Sequence, residues 1–227
     1  MATRYNLMSQ LVFKFPFKTK YYEQDYYVSS NNFSAYRLIE SWPNWPDKWV
    51  NIFGPKGCGK THLSNILKKK LNSVKILDAN SINNEVISKF EKLDCLIVDN
   101  YEKNIDEKIF YSMLNQSKQL DNYVVINSIF PIRDIKFELK DLKSRAESFV
   151  SLGIELPTDD LLRVIISKYF SDKQIDISPK ISEYIIKNIE RSYEKVFKFI
   201  KEIDDLSLSS GKSININLIK QVLINNE

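Results

Sequence analysis

The stretch "GPKGCGKT", residues 54–61, decides how this chain is read. It fits G-x-x-x-x-G-K-[S/T], the spacing at which a loop can wrap around phosphate. Gly54, Gly57 and Gly59 let the backbone turn so that N–H groups converge on one point, while Pro55, Lys56 and Cys58 fill the variable positions. Lys60 reaches the β- and γ-phosphates, and the Thr61 hydroxyl suits Mg2+. The context is the one the motif needs. "WVNIF", residues 49–53, is an apolar run fit for a buried strand, and residues 60–71 carry Leu63, Ile66, Leu67 and Leu71 on one helical face. The start of that helix adds partial positive charge. The motif therefore points to a nucleoside triphosphate or its product, with Mg2+.

Working outward, short apolar runs alternate with helical patterns. Strands are expected at 74–77, 95–98, 123–126 and 149–156, the last weakened by Gly153. Ser81 can cap a helix reaching about Lys92, and residues 107–119 form another. Alternation of this kind implies right-handed βαβ crossovers, hence an α/β unit with a five-stranded parallel sheet covered on both faces. "WPNWPDKW", residues 42–49, reads as a rigid connection packed on the body. After Pro157 the pattern changes. Thr158 caps a helix over 159–169, with Pro157 just outside it, and further helices are expected at 179–189, 193–207 and 216–224. The expected organisation is a tail (1–20), an α/β nucleotide-binding domain (21–156) and a small all-helical lid domain (157–227).

Composition narrows the classes. The chain has 227 residues, 43% hydrophobic and 27% charged, with a net charge of +4, enough to bury a sizeable core. No dense Lys/Arg block is present, so contact with DNA is expected to be indirect or weak. The apolar N-terminal run is broken by Lys14 and Pro16 and lacks a signal-peptide layout. No apolar run approaches bilayer-spanning length, so no membrane partner is expected. Cys58 and Cys95 have no metal-like spacing and read as reduced thiols. The expectation is a cytoplasmic protein.

Four further positions bear on phosphate chemistry. In "CLIVDN", Asp99 ends an apolar strand where a carboxylate can hold the water shell of Mg2+. The next residue, Asn100, stands where many such ATPases carry a second carboxylate. An amide can hydrogen-bond a water but cannot take its proton, which predicts slow intrinsic hydrolysis; alternatively Asn100 caps a turn and another group acts. Asn127 ends "YVVIN", where a polar group can touch a γ-phosphate or its water, or simply make a strand-end turn. Arg145, in "DLKSRAE", is either a solvated charge or an arginine finger for a neighbouring subunit's nucleotide.

With these residues in place, the chain resembles the AAA+ ATPases of the DnaA clade. "GPKGCGKTHL" (54–63) resembles the clade's extended nucleotide loop, whose His, here His62, belongs to the helix start and is given no catalytic role. "VINSIFPIRDI" (125–135) resembles its sensor-1 strand and turn, and "LKSRAE" (142–147) its box VII, which implies a finger role for Arg145. Within the clade the chain is most similar to the Hda/HdaA family, regulators that inactivate DnaA. The helical unit is expected to leave no room for a C-terminal DNA-reading domain. Residues 79–94 are too few for the extra paired helix that initiators use on origin DNA. "RLIESWPNWP" (37–46) resembles the HdaA lead-in. "QLVFKFPF" (10–17) resembles the peptide that grips the sliding clamp, the β subunit of DNA polymerase III, through Gln10, Leu11, Phe13 and Phe15.

Read alone, that peptide is most economically a first strand or a packed tail, and Phe15 could anchor to its own domain. The resemblance also suggests Tyr26, Tyr27 and Val28 at the adenine and a lid-helix arginine in "RSYEKVFKFI" (191–200). Here the aligned register puts Glu194 at that place, so Arg191 or Lys195 substitutes, or this contact does not discriminate ATP from ADP. The implied function is negative regulation of replication initiation: an ADP- or ATP-bound chain docks on the clamp and stimulates hydrolysis by DnaA through Arg145 in trans. Head-to-tail contacts of that kind are compatible with a homodimer. A DnaC/IstB-like helicase or transposase loader, or a nucleotide-binding scaffold without hydrolysis, are the other readings.

Overall fold

A computed structural model describes residues 22–225, so Gln10, Leu11, Phe13 and Phe15 lie outside the described residues. What is described falls into two compact units, 22–156 and 157–225.

The first unit runs α1 (Phe33–Glu40), β1 (Trp49–Phe53), α2 (Lys60–Lys70), β2 (Val74–Asp78), α3 (Asn84–Ser88), β3 (Cys95–Tyr101), α4 (Glu107–Gln119), β4 (Tyr123–Ser128), α5 (Lys140–Glu147) and β5 (Val150–Gly153). The strands form one parallel sheet in the order β2-β3-β4-β1-β5. Its central strands are buried at nearly every position because helices cover both faces. Phe90, Leu96, Val98, Phe110, Leu114, Val124 and Ile126 share one core beneath α4 and α5. Pairing of Asp78 with Asp99, and of Ile52 with Asn127, brings the carboxyl ends of β1 to β4 level. That edge is where ligands collect in open α/β sheets.

Several boundaries differ from expectation for local reasons. The helix expected from Ser81 is only α3. Asn83 caps it, accepting from Val86 N at 3.1 Å, and 3-10 turns at Ala79–Ser81 and Phe90–Lys92 flank it. An Asn side chain that bonds nearby backbone sets a new helix start. The fifth strand stops at Gly153 because Glu155 N bonds Asn31 O, drawing the chain off the sheet toward the lead-in. Helices α1 and α5 have no counterpart in the sequence reading; each is eight residues long, with only two of those residues buried. In the Trp-Pro segment, Trp42 and Trp45 pack edge-on against each other and against Tyr123, and Trp45 Nε1 donates to Leu38 O at 2.7 Å.

The second unit comprises α6 (Asp159–Ser171), α7 (Pro179–Lys187), α8 (Tyr193–Ser210) and α9 (Ile216–Ile224) around Leu162, Ile166, Phe170, Ile185, Phe199, Ile203 and Ile219. Thr158 caps α6, accepting from Leu161 N at 3.3 Å, and Ser192 and Asn215 cap α8 and α9. Gly211 closes α8 with a φ of 64°. Buried Asp204 pairs with Lys173, whose ammonium also lies over the Tyr169 ring. Among the described residues no helix is long and apolar enough to cross a membrane.

Candidate nucleotide site

The loop between β1 and α2 is shaped by its glycines. At Gly54, φ is 154° and a Cβ would lie 2.5 Å from the Ile154 carbonyl oxygen; at Gly59, φ is 100° and a Cβ would meet the Tyr26 ring at 2.9 Å. Side chains are excluded at both places, leaving backbone to face a ligand. The Lys60 ammonium donates to Gly54 O at 2.6 Å and Pro55 O at 3.0 Å, so it arches over the loop. Cys58 is buried beneath it, and that burial pushes the thiol up despite the nearby Lys60 charge. Lys56 points outward to an ion pair with Glu102 at 3.3 Å.

One buried chain of hydrogen bonds joins α2, β3 and β4. Thr61 Oγ1 donates to Asp99 Oδ2 at 2.7 Å, Asn127 Nδ2 donates to Asp99 Oδ1 at 3.0 Å, and the same amide donates to Ser64 Oγ at 2.8 Å. Asn127 is fully buried, yet its Oδ1 has no hydrogen-bond partner among the described residues. A buried acceptor left open marks a place for a further donor, such as a bound water. Hydroxyl, carboxylate and amide oxygens are the hard donors that Mg2+ prefers, and the loop and the first turn of α2 supply N–H groups for phosphate. The residues present fit a Mg2+-nucleotide: Thr61 and Asp99 would hold the ion, directly or through water, and it would neutralise charge between phosphates.

Asn100 is elsewhere engaged. It rides a β-bulge at φ 57°, and its Nδ2 donates to Asp78 Oδ2 at 2.8 Å. Asn80 donates twice to Asp78 Oδ1, from N at 3.0 Å and from Nδ2 at 2.8 Å, and Asn104 Nδ2 donates to Asn80 Oδ1 at 3.0 Å. The Asn100 amide, with help from Asn80, holds the Asp78 carboxyl below the usual carboxylate range. Asp78 was not singled out in the sequence, where the acid closing "VKILD" was its only signal.

The lead-in lies against the loop. Tyr26 stacks on Tyr36 at 5.8 Å and meets His62 edge-on at 5.2 Å, while His62 Nε2–H donates to Tyr22 O at 2.7 Å. Tyr27 is exposed and Val28 half-buried. Asn51, buried in mid-strand, also escaped the sequence reading although it interrupts an apolar run. Its Nδ2 donates to Ile126 O and Ser128 Oγ, and its Oδ1 accepts from Ile132 N, pinning the turn after Asn127.

Arg145 is at the other edge of the sheet. Its guanidinium lies 4.8 Å over the Tyr111 ring and 5.7 Å over Trp49, the residue that begins β1. The phosphate loop follows the far end of that five-residue strand, about 16 Å away at ~3.3 Å per residue. In the helical unit, Arg191 precedes α8 and pairs with Asp159 at 3.1 Å, and Glu194 sits in the first turn of α8.

Comparison with known proteins places this geometry. A family model described as RNA helicase matches residues 50–130, from β1 through β4. The chromosomal replication initiator protein DnaA of Buchnera aphidicola subsp. Baizongia pistaciae is 26% identical across 95% of this chain and 53% of its own length. Domain III of the Thermotoga maritima initiation protein DnaA superposes with a TM-score of 0.74 at 16% identity, covering 93% of this chain and 98% of that one. The chain has the α/β AAA+ fold and is similar in sequence to DnaA initiators. The DnaA-like chain spans about half the length of the curated relatives it matches. A replication initiator DnaA bound to AMPPCP and single-stranded DNA shares the fold with a TM-score of 0.67 at 21% identity, covering 82% of this chain and 65% of that one.

Proposed function

We propose that this DnaA-like chain is a replication-related AAA+ protein of the Hda/HdaA kind. It holds ADP or ATP with Mg2+ at Lys60, Thr61 and Asp99. It docks on the polymerase sliding clamp through Gln10, Leu11, Phe13 and Phe15, and it presents Arg145 to ATP bound by DnaA. The guanidinium then offsets charge on the transferring γ-phosphoryl and accelerates hydrolysis there, switching the initiator off.

The observation that carries this reading is the position of Arg145. It stands at the amino edge of the sheet while the chain's own phosphate loop lies at the carboxyl edge, so any phosphate it serves belongs to another molecule. Two further features support the reading. Asn100 is an amide engaged by Asp78, not a base free to take a proton from water. The β2–β3 connection holds only the five-residue α3 between two 3-10 turns, leaving little surface for origin DNA.

The test is hydrolysis of ATP by DnaA on clamp-loaded DNA, with and without this protein. Acceleration that disappears when the clamp is omitted supports the reading, and an unchanged rate overturns it. A second reading has its own support: relatives named as initiators, together with the joined Thr61, Asp99 and Asn127, favour a chain that hydrolyses ATP for itself. Rapid turnover with no partner present would favour that reading or a DnaC/IstB-like loader.

A further inference from the structure

We infer that Tyr111 and Trp49 form an aromatic shelf that positions Arg145, holding its guanidinium by the face so that its N–H edge stays open to an oxyanion. The inference rests on the reading above, in which Arg145 serves a phosphate in trans.

Among the described residues three arginines are paired with acids, and two lie over rings instead: Arg37, over Phe33 at 5.8 Å, and Arg145, the one that faces two rings. Arg163 is tied to Asp160 and Glu183, Arg191 to Asp159, and Arg133 lies 3.9 Å from Asp134. Arg145 has an acid in reach by sequence. Asp141 stands one turn earlier on α5, the i,i+4 order in which an acid and a following base pair well. Among the described residues no ion pair joins them, and no carboxylate or carbonyl accepts from the Arg145 guanidinium. The side chain turns instead to the ring of Tyr111 on α4, at 4.8 Å, and to Trp49 on β1, at 5.7 Å.

A π face attracts the cation without using any of its five donors, whereas a carboxylate would neutralise it and occupy two. A guanidinium meant to meet a phosphoryl group must arrive charged, oriented and with donors unused; the shelf provides all three. The shelf itself is rigid. Trp49 is buried, stacks on Phe149 at 5.5 Å and donates from Nε1 to Ser117 Oγ at 2.7 Å. Tyr111 contributes only its ring, since its hydroxyl makes no hydrogen bond among the described residues. Phenylalanine can therefore replace it and leucine cannot.

The full chain is compared as wild type, Tyr111→Phe, Tyr111→Leu, Arg145→Ala and the Tyr111→Leu/Arg145→Ala double variant, with DnaA on clamp-loaded DNA. Tyr111→Phe should match wild type. Tyr111→Leu should lower the maximal stimulated rate by about 2- to 30-fold, the span expected of a cation–π contact, with the half-saturating concentration unchanged. The double variant should be no worse than Arg145→Ala alone. A Tyr111→Leu variant that stimulates fully, an equal loss in Tyr111→Phe, or a further drop in the double variant overturns the shelf. If Arg145→Ala stimulates normally, the finger assignment is what has failed. A second readout needs no DnaA. In NMR spectra of the isolated protein, the Arg145 side-chain protons should be ring-shifted upfield of those of Arg133 in wild type and Tyr111→Phe, and lose that shift in Tyr111→Leu. Wild-type Arg145 protons at the Arg133 position overturn the inference outright.

Discussion

Thr61 Oγ1 donates to Asp99 Oδ2 at 2.7 Å, joining the first turn of α2 to the end of β3. Asp99 also accepts from the Asn127 amide and from Asn100 N, so a single carboxylate holds three donors from three segments. Asp99→Ala should therefore cost about 1–3 kcal/mol in urea unfolding, because buried donors are left without an acceptor. It should also abolish the strengthening of ATP binding by Mg2+, while binding without Mg2+, made by the loop backbone and Lys60, persists. An unchanged Mg2+ dependence in a nucleotide titration would remove Asp99 from the metal site.

The sheet and the phosphate loop were legible because their signals are local and redundant. Residues 49–53 read as a strand from their apolar run alone, and residues 107–119 and 216–224 matched helical patterning to the residue. The α3 region was not legible, since Asn83 competes for the helix start that Ser81 seemed to offer. The roles of Asp78 and Asn51 were hidden for another reason. Both act through strand register and a turn from elsewhere in the chain, and neither spacing nor periodicity reports such pairings.

Asp78 and Asn100 make a pH-dependent pair. The Asn100 amide holds the Asp78 carboxyl below its ordinary value, so the folded pKa lies below the unfolded one of about 3.9. The contribution is present above that value and lost as pH falls through the folded pKa. Asn100→Ala should raise the Asp78 pKa in a carboxyl NMR titration. Asn100→Asp should do the opposite of stabilising: two carboxylates would face each other across the 2.8 Å contact. At least one would have a raised folded pKa, so the variant should be least stable near neutral pH and recover toward wild type below about pH 4. Equal stability of Asn100→Asp and wild type at pH 7 would contradict the pairing.

Gly54→Ala should damage the loop without touching its chemistry. The added Cβ would lie 2.5 Å from the Ile154 carbonyl oxygen at a backbone φ of 154°, and both segments are held by backbone hydrogen bonds, Gly54 N to Ser128 O and Ile154 N to Phe53 O. A loss of about 1–3 kcal/mol in chemical unfolding is expected. Weaker nucleotide binding should accompany it, even where the variant is folded, because the carbonyls that hold the Lys60 ammonium shift. Binding equal to wild type at full stability would show that the loop tolerates a side chain there.

The proposed clamp peptide can be tested independently of the nucleotide site. In the proposed contact of "QLVFKF", residues 10–15, the Gln10 amide would hydrogen-bond at a pocket rim and Leu11, Phe13 and Phe15 would fill apolar space. Energy in such contacts concentrates in a few anchors. Gln10→Ala with Leu11→Ala should weaken binding to the polymerase sliding clamp by at least about 30-fold on a surface sensor, the loss typical of one strong anchor. Nucleotide affinity should be unchanged, since neither residue belongs to the phosphate loop. On clamp-loaded DNA the same variant should stimulate DnaA poorly despite an intact Arg145, and raising the protein concentration should restore the rate. A defect that no concentration restores would mean that the peptide acts on the chain's own fold and not as an address.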